Sequence, residues 1–411
     1  MPSEIVLISV GGIDRPGITS RLTTLLAAHD AHVLDIGQAV IHRSLALGIL
    51  VQLPEGTESS AVVKDVLFAA HEMGLHIDFS PVSESDYDHW VNEQGEPRYI
   101  ITTFGVDFDA HQLADITGIL RGHNLNIAVI TRLSGRVPLS DQRVPRACIE
   151  FAVRGAPDDP SALRRDLLVA AQRDGIDIAI QVDNVFRRNR RLVCFDMDST
   201  LIQTECIDEL AALAGVGDRV QAVTEAAMNG ELGFRESLEK RLGLLRGLPE
   251  TALREVAARL PLTEGAERLI KTLRSVGYKT AILSGGFTYF GEYLRNRLGI
   301  DYVHANELEI EDGRLTGRVR GDIVDGPRKA ALLKGLAERE GIRLEQVVAV
   351  GDGANDLPML EVAGLGIAFH AKPKVRASAE QSISTAGLDG ILYLIGFRDR
   401  EIECDLAMDP G

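Results

Sequence analysis

Two aspartates that are two residues apart follow directly on a short apolar run. Residues 192–195, Leu-Val-Cys-Phe, are almost wholly apolar and predict a buried strand of a parallel sheet. Asp196 and Asp198 come immediately after this run, so both lie where the strand ends. Ligands of open α/β sheets bind at the carboxyl ends of the strands. This strand end is therefore the first place where chemistry is expected.

Two further apolar runs also end in polar residues. Residues 279–283 are followed by a Ser-Gly-Gly turn that begins at Ser284, and residues 347–350 are followed by Gly-Asp-Gly-Ala-Asn-Asp. Lys329 opens a predicted helix between them. Each group alone has an ordinary interpretation as a turn, a loop or a helix cap. Their joint occurrence at the ends of successive strands predicts one shared site.

These residue types together suit a phosphoryl transfer that is assisted by a divalent metal ion. One carboxylate can attack phosphorus and form an aspartyl phosphate, and a second can act as an acid and then as a base. Oxygen ligands suit Mg²⁺, which keeps several waters and bridges to phosphate. A hydroxyl, a lysine and backbone amides can neutralise the phosphate oxygens. We therefore expect Mg²⁺ as the cofactor.

The order of these motifs resembles that of the haloacid dehalogenase superfamily: Asp-x-Asp-Ser-Thr, Ser-Gly-Gly, Lys and Gly-Asp-Gly-x-Asn-Asp. The resemblance implies that Asp196 is the nucleophile and Asp198 the general acid and base. Dehalogenases lack the second aspartate and transport ATPases carry Asp-Lys-Thr, so hydrolysis of a phosphate ester is favoured. The implied Mg²⁺ ligands are Asp196, the backbone carbonyl of Asp198 and Asp352, with Asn355 and Asp356 in support. The residues assigned to substrate binding at the phosphate are Ser284, Gly285, Lys329 and Asn355.

Residues 204–264 form a largely helical insert between the first and second motifs. The insert resembles the superfamily's cap, which closes over the site and excludes water. Together with the glutamate after the first motif, it resembles the phosphoserine phosphatase family in particular. In that family Glu205 matches a residue that meets the substrate ammonium, and Arg241 one that meets its carboxylate. Met228 and Phe234 match residues that shield the site. Taken alone, Glu205 and Arg241 would be a surface acid and base on helices.

The N-terminal half contains the same order of elements twice. Residues 1–84 and 97–184 each predict a βαββαβ unit, and the segment between the units is polar. In the first unit the turn Gly-x-Asp-Arg-Pro-Gly-Ile, with Asp14 and Gly17, resembles the ligand loop of ACT domains, which bind amino acids. The alternative is a plain turn before a helix. The resemblance implies a regulatory ligand such as serine at Asp14 and Gly17, and pairing of the modules into a homodimer. The second unit lacks the Pro-Gly turn, and whether it binds a ligand stays open.

Composition excludes several classes of partner. The 411 residues carry a formal charge of −16, which disfavours general affinity for nucleic acid or an anionic membrane. No apolar run is long enough to span a bilayer, and the first residues do not read as a signal peptide. The four cysteines are scattered without a Cys-x-x-Cys pair, which favours reduced thiols. We expect a cytoplasmic protein.

The predicted fold class is α/β. Residues 191–398 form a doubly wound parallel-sheet domain with a helical cap, preceded by two ferredoxin-like βαββαβ domains. The resemblance implies hydrolysis of O-phospho-L-serine to L-serine and phosphate through an aspartyl phosphate, the last step of L-serine biosynthesis. Two alternatives stay open. One is a phosphatase for another small phosphomonoester, against which Glu205 and Arg241 speak; the other is an amino-acid sensor with a vestigial phosphatase domain, against which the intact motifs speak.

Overall fold

The chain divides into two compact units. The computed structural model describes residues 4–55, 59–140, 146–228 and 231–402, and the side chain of Met228 lies outside what it describes. Residues 1–96 form one unit and residues 97–411 the other.

The first unit is an antiparallel sheet with helices between its strands. The sheet has the strand order β2-β3-β1-β4, and alternate residues of β3 are buried, as expected when one face of a sheet is covered. The polar segment that follows β4 is helical, and Ser83 caps this helix by accepting a hydrogen bond from the amide of Asp86. The elements are β1 (Glu4–Ile13), α1 (Ile18–Ala28), β2 (His32–Ile41), β3 (Ser44–Leu53), α2 (Ser59–Glu72), β4 (His76–Val82) and α3 (Glu84–Glu93).

The second unit begins with a repeat of the same topology. Its elements are β5 (Arg98–Gly105), α4 (Ala110–Gly122), β6 (Asn126–Arg132), β7 (Ala147–Arg154), α5 (Pro160–Asp174) and β8 (Asp177–Val182). Their sheet order, β6-β7-β5-β8, matches that of the first repeat position by position. Helix α5 has local signals at both ends: the Asp159 side chain caps its first amides, and Gly175 ends it in the left-handed conformation. The predicted duplication is confirmed.

A seven-stranded sheet forms the rest of the second unit. Its order is β12-β11-β10-β9-β13-β14-β15, and only β12 runs antiparallel to its neighbour. The central strand β9 is buried along its whole length, which explains its uninterrupted apolar sequence. The strands are β9 (Leu192–Phe195), β10 (Lys279–Phe287), β11 (Tyr302–Glu311), β12 (Arg314–Arg320), β13 (Val347–Gly351), β14 (Leu365–Phe369) and β15 (Gln381–Ile383).

Helices follow or join these strands, and four of them form the predicted insert. The insert helices are α6 (Cys206–Leu213), α7 (Gly217–Met228), α8 (Phe234–Leu244) and α9 (Thr251–Arg259). The others are α10 (Ala266–Ser275), α11 (Thr288–Leu298), α12 (Gly326–Arg339), α13 (Leu357–Val362), α14 (Pro373–Ser378) and α15 (Ile391–Leu394). Across the described ranges, each helix is too short or too polar to span a bilayer. The predicted α/β fold class is confirmed.

The second repeat is fastened to the seven-stranded sheet by polar contacts. The Asp177 carboxylate accepts hydrogen bonds from the amides of Ser384 and Thr385, at 2.8 and 2.7 Å. Deeper in this junction, Arg187 is fully buried and donates from Nη2 to the carboxylate of Glu150 on β7. Within the described part of the chain, Arg187 Nε and Nη1 have no hydrogen-bond partner. The carboxylate of Glu150 therefore balances the positive charge of the buried Arg187 guanidinium.

This ion pair gives a stability prediction. Glu150→Leu removes the acidic partner that Arg187 has among the described residues and leaves a buried charge, which should lower the free energy of unfolding by about 3–5 kcal/mol. The double variant Arg187→Met/Glu150→Leu removes both charges and should recover most of the loss. The check is the Tm of the full chain by scanning fluorimetry. A double variant as unstable as Glu150→Leu would contradict the expected role of the unpaired charge.

Candidate active site

The two aspartates of the first motif lie on a sharp turn at the end of β9. The Asp196 amide donates to the carbonyl of Val350 on β13 at 2.9 Å, which continues the sheet pairing by one residue. The turn then reverses at Ser199, whose φ of 56° lies in the left-handed region. The Asp198 carboxylate accepts a hydrogen bond from the amide of Cys206, at the start of α6, at 2.9 Å. Asp198 therefore joins the sheet end to the first insert helix.

Lys329 is the charge partner of the first aspartate. Its ammonium is fully buried and lies 2.9 Å from Asp196 Oδ2 and 2.6 Å from Asp356 Oδ1. Burial alone would lower the pKa of Lys329, but the two carboxylates raise it above its ordinary value. The lysine is therefore charged, and it orients Asp196 at the strand end.

Three carboxylates at this position could hold a metal ion. One oxygen each from Asp196, Asp352 and Asp356 lie within 4.8 Å of one another. Burial, and then the charge of Asp196, raise the pKa of Asp352 to about 8 and that of Asp356 to about 7. A divalent cation would offset this repulsion. Asp356, for which the resemblance implies a supporting role, has its carboxylate in this group. Asp198, for which the resemblance implies a ligand through its backbone carbonyl, has its carboxylate outside the group.

The Ser-Gly-Gly turn packs too closely for larger residues. A Cβ on Gly285 would lie 2.8 Å from Cζ of Phe234, and one on Gly286 would lie 2.3 Å from Oδ2 of Asp198. The Gly286 amide donates to Ser284 Oγ at 2.9 Å. A larger residue at either position would have to displace Phe234 or Asp198, so the two glycines keep both side chains in place.

Sequence reasoning missed two polar residues that support the site. The buried Asn306 on β11 donates to the Gly285 carbonyl at 2.7 Å and accepts from the Val324 amide at 2.8 Å. Thr200, also buried, donates from Oγ1 to Asp352 Oδ1 at 3.1 Å. Thr200 is the last residue of the first motif, so the sequence could have identified it. Asn306 carries no local signal beyond being an amide in a strand beside β10.

Most of the predicted site residues surround one cavity of about 180 Å³ between the strand ends and the insert. Lys329 and Asp356 are fully buried and do not line it. Three apolar residues of the lining, Ile207, Leu238 and Phe287, were not predicted; nothing distinguishes them from core residues in the sequence. The predicted residues on the cavity wall are Asp196, Asp198, Glu205, Phe234, Arg241, Ser284, Gly285, Asp352 and Asn355.

Opposite charges face this cavity from the insert. Burial, and then the charge of Asp196, raise the pKa of Glu205, which accepts a hydrogen bond from Ser199 Oγ at 2.8 Å. Burial lowers the pKa of Arg241, and Glu205 opposes that shift. Arg241 Nε is buried and, in the ranges that the structure describes, has no hydrogen-bond partner. Burial, and then Glu205, raise the pKa of Asp198 to about 8. Glu205 and Arg241 thus line the same cavity as the two aspartates that the sequence predicts to be catalytic.

The predicted regulatory residues lie in the loop between β1 and α1 of the first unit. Gly17 has a φ of 95° and precedes the first residue of α1, so the turn requires a left-handed residue there. The Asp14 amide donates to the carbonyl of Arg43 at 2.8 Å, and both Asp14 and Gly17 are exposed. Ligand binding at this loop stays a prediction.

Comparison with known proteins agrees with this geometry. The family profile for haloacid dehalogenase-like hydrolases matches residues 193–361, and an ACT domain profile matches residues 4–80. The chain is 41% identical to phosphoserine phosphatase SerB2 of Mycobacterium tuberculosis, over 100% of this chain and 98% of the relative. It is also 41% identical to a phosphoserine phosphatase of Streptomyces coelicolor, over 99% and 97% of the two chains.

A solved structure supports the same relationship. The crystal structure of a probable phosphoserine phosphatase from Vibrio cholerae aligns with a TM-score of 0.57 and 36% identity. The alignment covers 74% of this chain and 87% of that one. Because the relatives match over their whole length, and the fold and motifs agree, the chain belongs to the phosphoserine phosphatase family of haloacid dehalogenase-like hydrolases, with an N-terminal ACT domain.

Proposed function

We propose that the chain hydrolyses O-phospho-L-serine to L-serine and phosphate, the last step of L-serine biosynthesis. The observation that carries the proposal is the single cavity that joins Asp196 and Asp198 to Glu205 and Arg241. The first pair supplies phosphoryl-transfer chemistry, and the second pair complements a zwitterion. The names of the relatives that match over their whole length support the same substrate.

In the proposed mechanism Asp196 is the nucleophile. A carboxylate oxygen of Asp196 forms a bond to phosphorus while the bond between phosphorus and the serine oxygen breaks. Asp198 donates its proton to that leaving oxygen and then takes a proton from the water that attacks the aspartyl phosphate. This attack returns Asp196 as a carboxylate and releases phosphate. Ser284, Gly285 and Asn355 line the cavity and would contact the phosphate oxygens, while Lys329 would supply positive charge from behind Asp196.

Loss of the nucleophile should abolish turnover. Asp196→Asn keeps the size of the side chain but is a far weaker nucleophile, so kcat should fall at least about a thousandfold. The measurement is phosphate release from phosphoserine, with Tm as a check of folding. The matched control is Asp218→Asn, on the exposed side of α7, which should behave like the unmodified chain. Substantial activity of Asp196→Asn in a folded protein would remove the nucleophile from the proposal.

Mg²⁺ is the proposed cofactor. The clustered oxygens of Asp196, Asp352 and Asp356 fit a small hard cation, because carboxylates are its preferred protein ligands. Asp196, Asp352 and the backbone carbonyl of Asp198 would hold it, and Asp356 and Asn355 would support them. When bound, Mg²⁺ supplies positive charge that neutralises the phosphate oxygens.

Removal of the metal gives a direct test of this assignment. Dialysis of the full chain against a chelator should abolish phosphate release, and Mg²⁺ should restore it. Asp352→Asn removes one of the proposed ligands and should raise the Mg²⁺ concentration for half-maximal activity at least about tenfold. Asp218→Asn again serves as the control. Full activity of the dialysed chain, with the residual metal measured, would contradict a resident metal.

Glu205 and Arg241 are the proposed recognition pair for the amino-acid head group, with Phe234 and Met228 shielding the substrate. The buried guanidinium of Arg241, whose Nε has no hydrogen-bond partner among the described residues, can donate to a carboxylate without first breaking another contact. The acid beside it suits an ammonium group. A phosphomonoester without these charges would gain little from either residue.

Substrate preference tests this pair. Arg241→Ala should lower kcat/KM for phosphoserine about a hundredfold, the usual size for one charged hydrogen-bonded contact, while p-nitrophenyl phosphate changes by less than about threefold. Arg254→Ala, at an exposed position on α9 of the same insert, is the control. Equal losses for both substrates would discard Arg241 as a specificity residue. No activity of the unmodified chain with either substrate would favour an amino-acid sensor instead.

Regulation, assembly and location complete the proposal. We propose that serine binds near Asp14 and Gly17, which calorimetry with serine tests, and that the modules pair into a homodimer, which sedimentation tests. Strand β2, at the edge of its sheet, exposes Val33, Ile36 and Val40, as a pairing edge would.

The proposed domains are residues 1–84, 97–184 and 191–398, with the cap at 204–264. Three buried, unbridged cysteines, Cys148, Cys194 and Cys206, suit the cytoplasm.

A further inference from the structure

The chain enters and leaves the helical insert through two segments that lie side by side, 201–203 and 261–264, which we call the hinge. The Gln203 amide donates to the Pro261 carbonyl, and the Thr263 amide donates to the Leu201 carbonyl, each at 3.0 Å. Residues 197–201 form the turn that carries Asp198. A change at the returning segment, 261–264, therefore reaches the edge of the active-site cavity.

The returning segment is packed tightly where it meets the core. Gly265 has a φ of 81°, and a Cβ there would lie 2.3 Å from Asp389 Oδ1. The Leu388 amide donates to the Glu264 carbonyl at 2.8 Å. The Asp389 side chain is only 6% exposed, so a buried carboxylate touches the backbone at the base of the hinge.

Two arginines from different parts of the chain hold this carboxylate. Arg268 on α10 places Nη1 2.9 Å from Asp389 Oδ2, and Arg146 places Nη1 3.0 Å from Asp389 Oδ1. Arg146 also donates from Nη2 to the carboxylate of Glu264, which belongs to the hinge itself. Because Arg146 directly precedes β7, this second pair of contacts ties the second repeat to the hinge.

We propose that Arg146 is a positioning residue for the cap: through Asp389 and Glu264 it holds the returning hinge segment against the core. The second repeat then acts on catalysis without any residue in the active site. Arg268 lies on α10, which begins immediately after Gly265, so this contact to Asp389 stays within the catalytic part. Arg146 contacts Asp389 from the sheet of the second repeat. A shift of β7 would move Arg146 relative to Arg268 and change the hold on the hinge.

The contacts of Arg146 suit adjustment better than a purely structural role. Its side chain is 45% exposed, and that of Glu264 is 71% exposed, so loss of this pair should cost little folding stability. Asp389 would keep Arg268 as its partner and would not be left as an unpaired buried charge. The effect of removing Arg146 should therefore be confined to the hinge.

The experiment compares three variants of the full chain. Arg146→Ala removes both contacts, and Arg146→Lys keeps a positive charge near Asp389. Arg165→Ala is the control, because it removes a surface ion pair with Asp159 on the same repeat, away from the hinge. Hydrogen exchange of peptides that cover 199–204 and 260–266 reports the hinge without reference to catalysis.

We expect the rate of hydrogen exchange at the hinge to rise about fivefold in Arg146→Ala, which is the lower end of the usual size of coupling between two sites. The rate should stay unchanged in Arg165→Ala. The KM for phosphoserine should rise by a similar factor while kcat changes by less than about twofold, because a loose hinge weakens cap contacts and leaves the reacting groups in place. The constants for p-nitrophenyl phosphate should not change. Arg146→Lys should recover most of both effects.

Unchanged hinge exchange in Arg146→Ala would overturn the proposal. Raised exchange throughout the second repeat would also overturn it, because that pattern indicates a general structural role. The kinetic part rests on the proposed function, but the exchange part does not. If the unmodified chain released no phosphate from phosphoserine, the proposed function would fail, and hinge exchange alone would still support or overturn the role of Arg146.

Discussion

The buried ammonium of Lys329 is the interaction on which the rest of the active site depends. Asp196 and Asp356 lie within 3 Å of it, and Asp352 completes a carboxylate cluster at the same strand end. So many acids in one buried place repel one another and favour their neutral forms. Lys329 offsets part of that repulsion and keeps Asp196 directed at the cavity. The proposed Mg²⁺ would supply further positive charge at the same place.

The second constraint is geometric and lies in the turn after β9. Because Ser199 takes a left-handed conformation, the chain reverses within a few residues, and Asp198 reaches the amide that opens the first insert helix. The glycines at 285 and 286 leave room for Asp198 and for Phe234 of the insert. The strand end and the insert therefore pack closely against each other, and close packing is what a cap that excludes water requires.

The repeats add a level of organisation that the catalytic sheet does not need for its own chemistry. The second repeat is joined to that sheet through Asp177, through the pair of Glu150 and Arg187, and through Arg146. Phe104, Leu133, Cys148 and Ala179 of this repeat also share a buried apolar core with the catalytic part. The polar contacts involve backbone amides and charges. Such contacts are directional, so a change in one repeat can reach defined points of the catalytic part, the hinge among them.

The sequence by itself determined the strands, the order of the motifs and the duplication, because each depends on short-range patterns. A strand buried on both faces must be apolar, so β9 and the carboxylates at its end were readable, as were the two βαββαβ repeats. Only the tertiary structure decided which distant side chains meet. The sequence predicts Lys329 as a residue of the site, but its pairing with Asp196 is seen only in the structure. Asn306 supports the Gly285 carbonyl and Arg146 reaches Asp389, although nothing in the local sequence distinguishes these two residues from others of their type. The physical reason is that charge pairing and buried hydrogen bonds are set by distance in space, which periodicity along the chain does not encode.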